Sequence, residues 1–578
     1  MSEGAQNPIR RMPDGTVKQV GPLTGTRVWT VPGRANRPLA APRDAARPLK
    51  RGESTQLCAF CSDRYLETTP EKARLVGPQF EQLRHVHASE LTDTVAEFRR
   101  FGNLFEIVSA EYWRENHGFR QPSAVVEWAQ EYLADPAGRA HIESLAAIRA
   151  AATGEQVSVE EAALDLLGGS HDVIVARRHV VDGATTDDQL ASSGTLTPDE
   201  HAAYTAFTVQ ALADIQAAQP NAAYVAVFQN WLRPAGASFE HLHKQLVAVD
   251  EHGPQVDHEL RLLSHDHDLY QRELADLAVS ERLLVAATDG AVAFAGIGHR
   301  YPAFEVFSTS EANLPQEHSP EGIRAVSDLL HALHAATGPL VPTNEEWHYR
   351  PPGAPWPMPW RVVLKWRISN PAGFEGGTKI HVNTIDPWEL RRRAVTALEQ
   401  LRAEGAIADG IRIGDVTTLR INPQDPNQVE AMVSVDPNQP IKADTKATVG
   451  VQGLTGIASI ELRGGTATLP SIFDDTEIPT LVASGSGLSE ILNSAQDLLN
   501  KANVTVDRLN VILDDAQPSV KTTLANVEKF TGALAQNSDG INDFLANVSA
   551  LSKQVGSLSG DLQGLVAKAD GILAAVDP

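Results

Sequence analysis

Cysteine is nearly absent: the 578 residues hold two, Cys58 and Cys61, in "CAFC". That excludes a disulfide-stapled fold, and in a reducing compartment a lone C-x-x-C reads as a redox dithiol or as half of a metal site. No run of about 18 uninterrupted apolar residues occurs, so no membrane-spanning helix is expected, and the opening "MSEGAQNPIRRMPDG" lacks the apolar core of a secretory signal. The default expectation is a cytoplasmic protein. Positive charge is also short. Lys and Arg number 49 against 73 Asp and Glu, for a net charge of −24, which argues against nucleic acid as a sequence-independent partner. The last third lacks whole residue types: no Trp follows Trp388, no His follows His381, and no Cys occurs there. A change that abrupt marks a boundary between modules.

What is present divides accordingly. A single core stops growing near roughly 250–300 residues, so at least two domains are expected. Up to about residue 408, β-like runs ("DVIVARRHV", "AAYVAVFQNW", "WRVVLKWRI") alternate with helical patterns at 198–217 and 322–336, an α+β mixture. An Ala-rich stretch within about 106–168 reads as a helical insertion, and residues 1–20 read as a disordered N-terminus. From about 411 to 470 the pattern alternates like strands punctuated by glycine. Over about 480–578 it turns helical. Ile541, Phe544, Val548, Leu551, Val555, Leu558, Leu562, Leu565, Ala569, Ile572 and Val576 recur at steps of three and four, a coiled-coil heptad. Gly556, Gly560, Gly564 and Gly571 weaken that helix by roughly 1 kcal/mol each against Ala, so a homo-oligomer through these helices is expected to order it.

The stretch with the most chemistry is "FEHLHKQL" at 239–246. Strand alternation puts His241, His243 and Gln245 on one face, with Leu242 and Lys244 opposite. Burying three polar groups on one face is costly unless they have partners or work to do. A neutral imidazole is a good nucleophile toward phosphorus near pH 7. The pair alone also fits a solvated edge strand. Upstream, Asn230 and the small residues of "PAGAS", ending at Ser238, offer a place where backbone can approach an anion.

"FQNWLRPAGASFEHLHKQL" resembles the active-site segment of galactose-1-phosphate uridylyltransferases, the nucleotidyl-transferring branch of the histidine-triad superfamily. Further matches follow in order: "RVWTVPGRANRPL" resembles the family's N-terminal segment, "CAFC" its zinc cysteines, "FGNLF" its nucleotide-contacting motif, "IVARRH" the strand ending in its third zinc ligand, and "AGFEGGTKIHVN" its late substrate motif. The resemblance covers about 20–400. It implies two histidine-triad-like α/β halves, 21–250 and 251–408, and zinc bound by Cys58, Cys61, His179 and His241. It further implies His243 as nucleophile toward the α-phosphorus of a nucleoside diphosphate sugar, Gln245 as a partner of the phosphoryl oxygens, and a phosphorylated acceptor. Arg34, Arg37, Asn103, Asn230, Ser238, Gly373, Phe374 and Glu375 are the implied substrate contacts. Two positions depart: the prolines of the family's His-Pro-His box are Glu240 and Leu242 here. The second half offers no His-x-His pair in "WRVVLKWRIS".

"PIKADTKATVGVQGLTGIASIEL" resembles the MCE (MlaD-type) domain of bacterial envelope lipid transporters, over about 411–578. It implies a partial all-β barrel that begins without the family's membrane anchor and first strands, a helical tail, and phospholipid or lipid-transporter partners. The junction "GIRIGDV" at 410–416 fits either resemblance, as in a gene fusion at this point. Two other readings stay open. One is an envelope lipid-transport or scaffold subunit with a degenerate enzyme half. The other is a phosphorylase of dinucleotide or ADP-sugar type, with inorganic phosphate as acceptor.

Overall fold

The structure, a computed structural model, describes residues 8–33, 46–154 and 156–413, four strands between 416 and 463, and scattered positions beyond. The heptad positions from Ile541 to Val576 lie outside the described residues.

Of the N-terminal segment expected to be disordered over 1–20, the described residues 8–20 carry strands instead. β1 (Ile9–Arg11) and β2 (Val17–Val20) pair antiparallel, and β2 pairs with β3 (Arg27–Thr30). The reason is local: Asp14 caps the turn by accepting from the backbone N–H and hydroxyl of Thr16, and Ile9 and Val17 are buried.

The main body is a sheet of twelve strands. One set comprises β4 (Glu71–Val76), β5 (Glu81–Arg84), β6 (Ala96–Gly102), β7 (His171–Ala176), β8 (Tyr224–Trp231) and β9 (His243–Val249). The other comprises β10 (Leu284–Ala287), β11 (Ala291–Ala295), β12 (Ala303–Ser308), β13 (Thr343–His348), β14 (Arg361–Trp366) and, after β15 (Ile380–Asn383), β16 (Arg412–Ile413). The spatial order is β16-β10-β11-β12-β14-β13-β8-β9-β7-β6-β4-β5. The two sets meet where β8 pairs antiparallel with β13, Asn230 opposite Asn344. Each set carries one long helix, Pro198–Ala218 just before β8 and β9 in the first and Pro320–Thr337 just before β13 and β14 in the second. Both helices start on a hydroxyl cap followed by proline: Thr197 accepts from Glu200 N–H and Ser319 from Gly322 N–H.

β15 leaves the main sheet and pairs parallel with β3, so the late motif and the N-terminal segment share a sheet. Between β6 and β7 lie four helices, Ala110–His117, Ser123–Ala134, Pro136–Thr153 and Val159–Gly168. The last three close around a core of their own that includes Trp128, Tyr132, Ile142, Leu145 and Leu166. β16 lies in the junction segment and adds to the edge of the main sheet through Ala286↔Ile413. Beyond it, Val416–Asn422 pairs with Asp425–Val433 and Lys446–Gln452 with Ile457–Arg463, each pair antiparallel.

Candidate functional site

Four donor atoms converge from three places in the chain. Cys58 and Cys61 flank a tight turn closed by Cys61 N–H donating to Cys58 O at 3.0 Å. His179 follows β7, and His241 lies two residues before β9, outside the strand that alternation alone would have put it in. Cys58 Sγ is 3.4 Å from the Nδ1 of both His179 and His241. Cys61 Sγ is 3.4 Å from His179 Nδ1 and 3.8 Å from His241 Nδ1, and the two sulfurs are 3.9 Å apart. A tetrahedron with metal–sulfur bonds of about 2.3 Å and metal–nitrogen bonds of about 2.0–2.1 Å has edges of about 3.4–3.8 Å, so the donor spacing fits such an ion. His241 Nε2–H donates to Ala176 O at 2.7 Å, which fixes the tautomer that leaves Nδ1 for a metal. The Cys61 thiol is held well below its ordinary value by a hydrogen bond from Cys58 and then by His179 and His241. His171, His117 and His85 do not join this group: His171 bonds to Gln245, His117 to Asp250, and His85 stacks on Trp128.

His243 opens β9 and is buried. Its Nδ1–H donates to the backbone oxygen of His241 at 2.7 Å, and among the described residues Nε2 has no partner. Burial pushes its pKa down to about 4, so the ring is neutral at pH 7 with its lone pair on Nε2. Phe60, carried inside the cysteine turn, stands edge-on to His243 at 5.3 Å and packs with Phe239 at 4.5 Å. With Phe101, Val173 and Val175 it makes an apolar wall on this face of the sheet.

Gln245 lies two residues further on the same face, and its Oε1 accepts from His171 Nε2–H at 3.0 Å. Asn103, just past β6, is anchored by its backbone N–H donating to His171 O at 2.7 Å, while its Oδ1 accepts from Phe105 N–H. Asn230 on β8 is committed to its neighbour across the central strand pair: Asn344 Nδ2 donates to Asn230 Oδ1 at 2.7 Å and to Ala235 O at 2.8 Å. That holds the loop in which Gly236 takes φ +95° and Ser238 is exposed. Gly373, Phe374 and Glu375 open a short exposed helix, Gly373–Thr378, ahead of β15. Arg34 and Arg37 lie outside the described residues.

Sequence reasoning passed over Phe60, His171 as a partner of Gln245, and the partner of Lys244. Lys244 points to the opposite face, where its Nζ meets Glu345 at 2.6 Å with both side chains fully buried. A charged residue inside an apolar strand was the available signal for a buried counter-charge.

The chain matches the family described as a domain of unknown function (DUF4921) over residues 12–424, and the MlaD protein family over 407–465. A curated relative, an uncharacterized protein of Bradyrhizobium diazoefficiens, is 30% identical over 185 residues, 32% of this chain. The chain spans 45% of that relative's length. Among solved structures, an ADP-glucose phosphorylase from Arabidopsis thaliana aligns at 18% identity over 66% of this chain and 98% of its own, with a TM-score of 0.44. A galt-like protein from Arabidopsis thaliana aligns at 17% identity over 65% and 97%, with a TM-score of 0.42. No helix among the described residues is long and apolar enough to cross a membrane. The match over 12–424 takes in well over half of the sequence, and the chain belongs to the DUF4921 family.

Proposed function

We propose that this chain is a nucleotidyltransferase that carries a nucleoside monophosphate on His243. The observation behind it is the state of that ring: neutral, anchored through Nδ1–H, with a lone pair free on Nε2 beside an apolar wall. Nε2 attacks the α-phosphorus of a nucleoside diphosphate sugar, forming the N–P bond as the P–O bond to the sugar phosphate breaks and sugar 1-phosphate leaves. A phosphate oxygen of the acceptor then attacks the same phosphorus, and the N–P bond breaks to return the neutral imidazole. The ring becomes cationic while it carries the nucleotide, and the His241 carbonyl at Nδ1–H stabilises that charge. Gln245 donates from its amide to the phosphoryl oxygens, and Arg34 and Arg37 balance phosphate charge. Asn103, with the Phe60 wall, faces the nucleoside. Zinc is the proposed occupant of the Cys58, Cys61, His179 and His241 group, where it holds the cysteine turn against the strand ends and does not enter a step.

The acceptor is either a sugar phosphate, with Gly373, Phe374 and Glu375 contacting it, or inorganic phosphate. The second is favoured by β14, "RVVLKW", which has no histidine. The MlaD-like segment is proposed to serve phospholipid contact or self-association.

Intact-mass measurement of the full chain after incubation with UDP-glucose or ADP-glucose, beside His243→Ala, tests the reading. An adduct of one nucleoside monophosphate that requires His243 is expected, and the donor that gives it names the base. Absence of adduct from both donors in folded, metal-loaded protein would sink it. Release of the label by inorganic phosphate or by hexose 1-phosphate separates the two acceptors.

A further inference from the structure

Gln245 can present either its carbonyl or its amide nitrogen to a ligand, and only the nitrogen can donate to a phosphoryl oxygen. His171 decides which. The two side chains lie on one face of adjacent strands, since His171 pairs with Val247 and Val173 with Gln245. His171 is held on both backbone sides: its N–H donates to Glu106 Oε1 at 3.3 Å, and its carbonyl accepts from Asn103 N–H at 2.7 Å.

The ring's proton can be placed from its neighbours. Ile107 N–H donates to His171 Nδ1 at 3.1 Å, so Nδ1 carries the lone pair. A neutral imidazole then carries its proton on Nε2, which must donate, and the acceptor at 3.0 Å is Gln245 Oε1. The opposite tautomer would set Nδ1–H against Ile107 N–H. Asn103 Nδ2, 3.3 Å from Nε2, is itself a donor because Asn103 Oδ1 accepts from Phe105, so it offers Nε2–H no alternative acceptor. Burial, by lowering the His171 pKa, favours the neutral ring.

We propose that His171 is a positioning residue that locks the Gln245 amide with oxygen inward, so that its NH2 group faces the phosphoryl oxygens of the ligand at His243. The proposal rests on the nucleotidyl-transfer reading for that ligand, but the proton placement stands without it.

Two arms test it on the full chain. The first needs no ligand: in histidine 15N NMR at pH 7, with the His171 signals assigned by their loss in His171→Gln, the Nε2–H tautomer is expected. An Nδ1–H tautomer or an imidazolium overturns the proposal. The second is a double-mutant cycle of His171→Phe and Gln245→Ala, read as the single-turnover rate of His243 labelling, with metal content and melting temperature confirming folded protein. His171→Phe should slow labelling on the order of 10-fold, the size of one positioned hydrogen bond. His171→Gln, whose amide can donate in place of Nε2–H, should restore most of the rate. His171→Phe should have no further effect once Gln245 is Ala. The same slowing in both backgrounds, or wild-type speed in His171→Phe, overturns it. If wild type takes no label, the reading of His243 fails, and the NMR arm alone decides the positioning role.

Discussion

Replacing Glu345 with Gln should cost the fold about 3–5 kcal/mol, the penalty for leaving a buried charge without its counter-charge. Lys244 Nζ and Glu345 Oε1 are 2.6 Å apart, and neither side chain is exposed. Glu345 also accepts from Trp347 Nε1 at 2.6 Å and His334 Nε2 at 2.9 Å, and the Lys244 ammonium lies 4.8 Å from the Tyr204 ring and 5.1 Å from Trp347. Glu345→Gln keeps the shape and an acceptor oxygen but strands the ammonium, because the two rings replace only about 1–2 kcal/mol of a lost ion pair. Lys244→Met should cost less, since the Glu345 carboxylate keeps the hydrogen bonds donated by Trp347 Nε1 and His334 Nε2. The double variant leaves no charge to compensate and should be at least about 2 kcal/mol better than the sum of the singles. Urea unfolding followed by tryptophan fluorescence reads this directly, because Trp347 is part of the cluster and packs 5.0 Å from Trp360. Acid unfolding gives a second check. Burial alone would raise the Glu345 carboxyl, but the Lys244 charge and then the His334 bond overcome it and hold it below its ordinary 4.5. Its folded pKa is depressed, so its stabilisation is present above about pH 4.5 and is lost as pH falls. Glu345→Gln should lose that part of the acid sensitivity. A Glu345→Gln protein within about 1 kcal/mol of wild type, or a double variant equal to the sum of the singles, would refute the assignment of this pair as a charge-compensated clamp.

Three further outcomes follow from other parts of the structure. Wild type should carry about one zinc per chain by elemental analysis, and Cys61→Ser or His179→Ala should lose most of it, whereas His171→Gln should keep it. Burial pushes the Glu106 carboxyl up to about 7, above its ordinary 4.5, so stability should fall as pH rises from about 4.5 to 7. Glu106→Gln should therefore melt higher than wild type at pH 8 and about level with it at pH 5; an unchanged difference between the two pH values counts against the buried neutral carboxyl. A Cβ on Gly298, where φ is +70°, would lie 2.0 Å from Gly21 N, so Gly298→Ala should cost about 2–3 kcal/mol and speed trypsin cleavage at Arg11 and Lys18, a change that limited proteolysis reads directly.

Local chemistry was legible in residue order. The helices Pro198–Ala218 and Pro320–Thr337 begin and end within two residues of their periodic patterns, because capping and period-3.6 burial are short-range properties. The strand carrying His243 and Gln245 on one face and Lys244 on the other was likewise readable from alternation. Residues 9–20 were misjudged because their order comes from packing: the turn at Asp14 is local, but burial of Ile9 and Val17, and the Gly298 N–H donated to Gln19 Oε1, depend on residues far along the chain.

By itself, then, the sequence determined which residue types sit together along each strand and turn: the Cys58 and Cys61 pair, the alternating His243 and Gln245, and the end of the histidine- and tryptophan-bearing region at Trp388. Tertiary structure alone decided which distant groups meet them. It brings His179 to the cysteines across more than a hundred residues and turns His171 to Gln245, and it buries Glu345 against Lys244. The physical reason is that strand order and register set those meetings, through β7 beside β9 and β8 beside β13, and both depend on how all the strands pack at once.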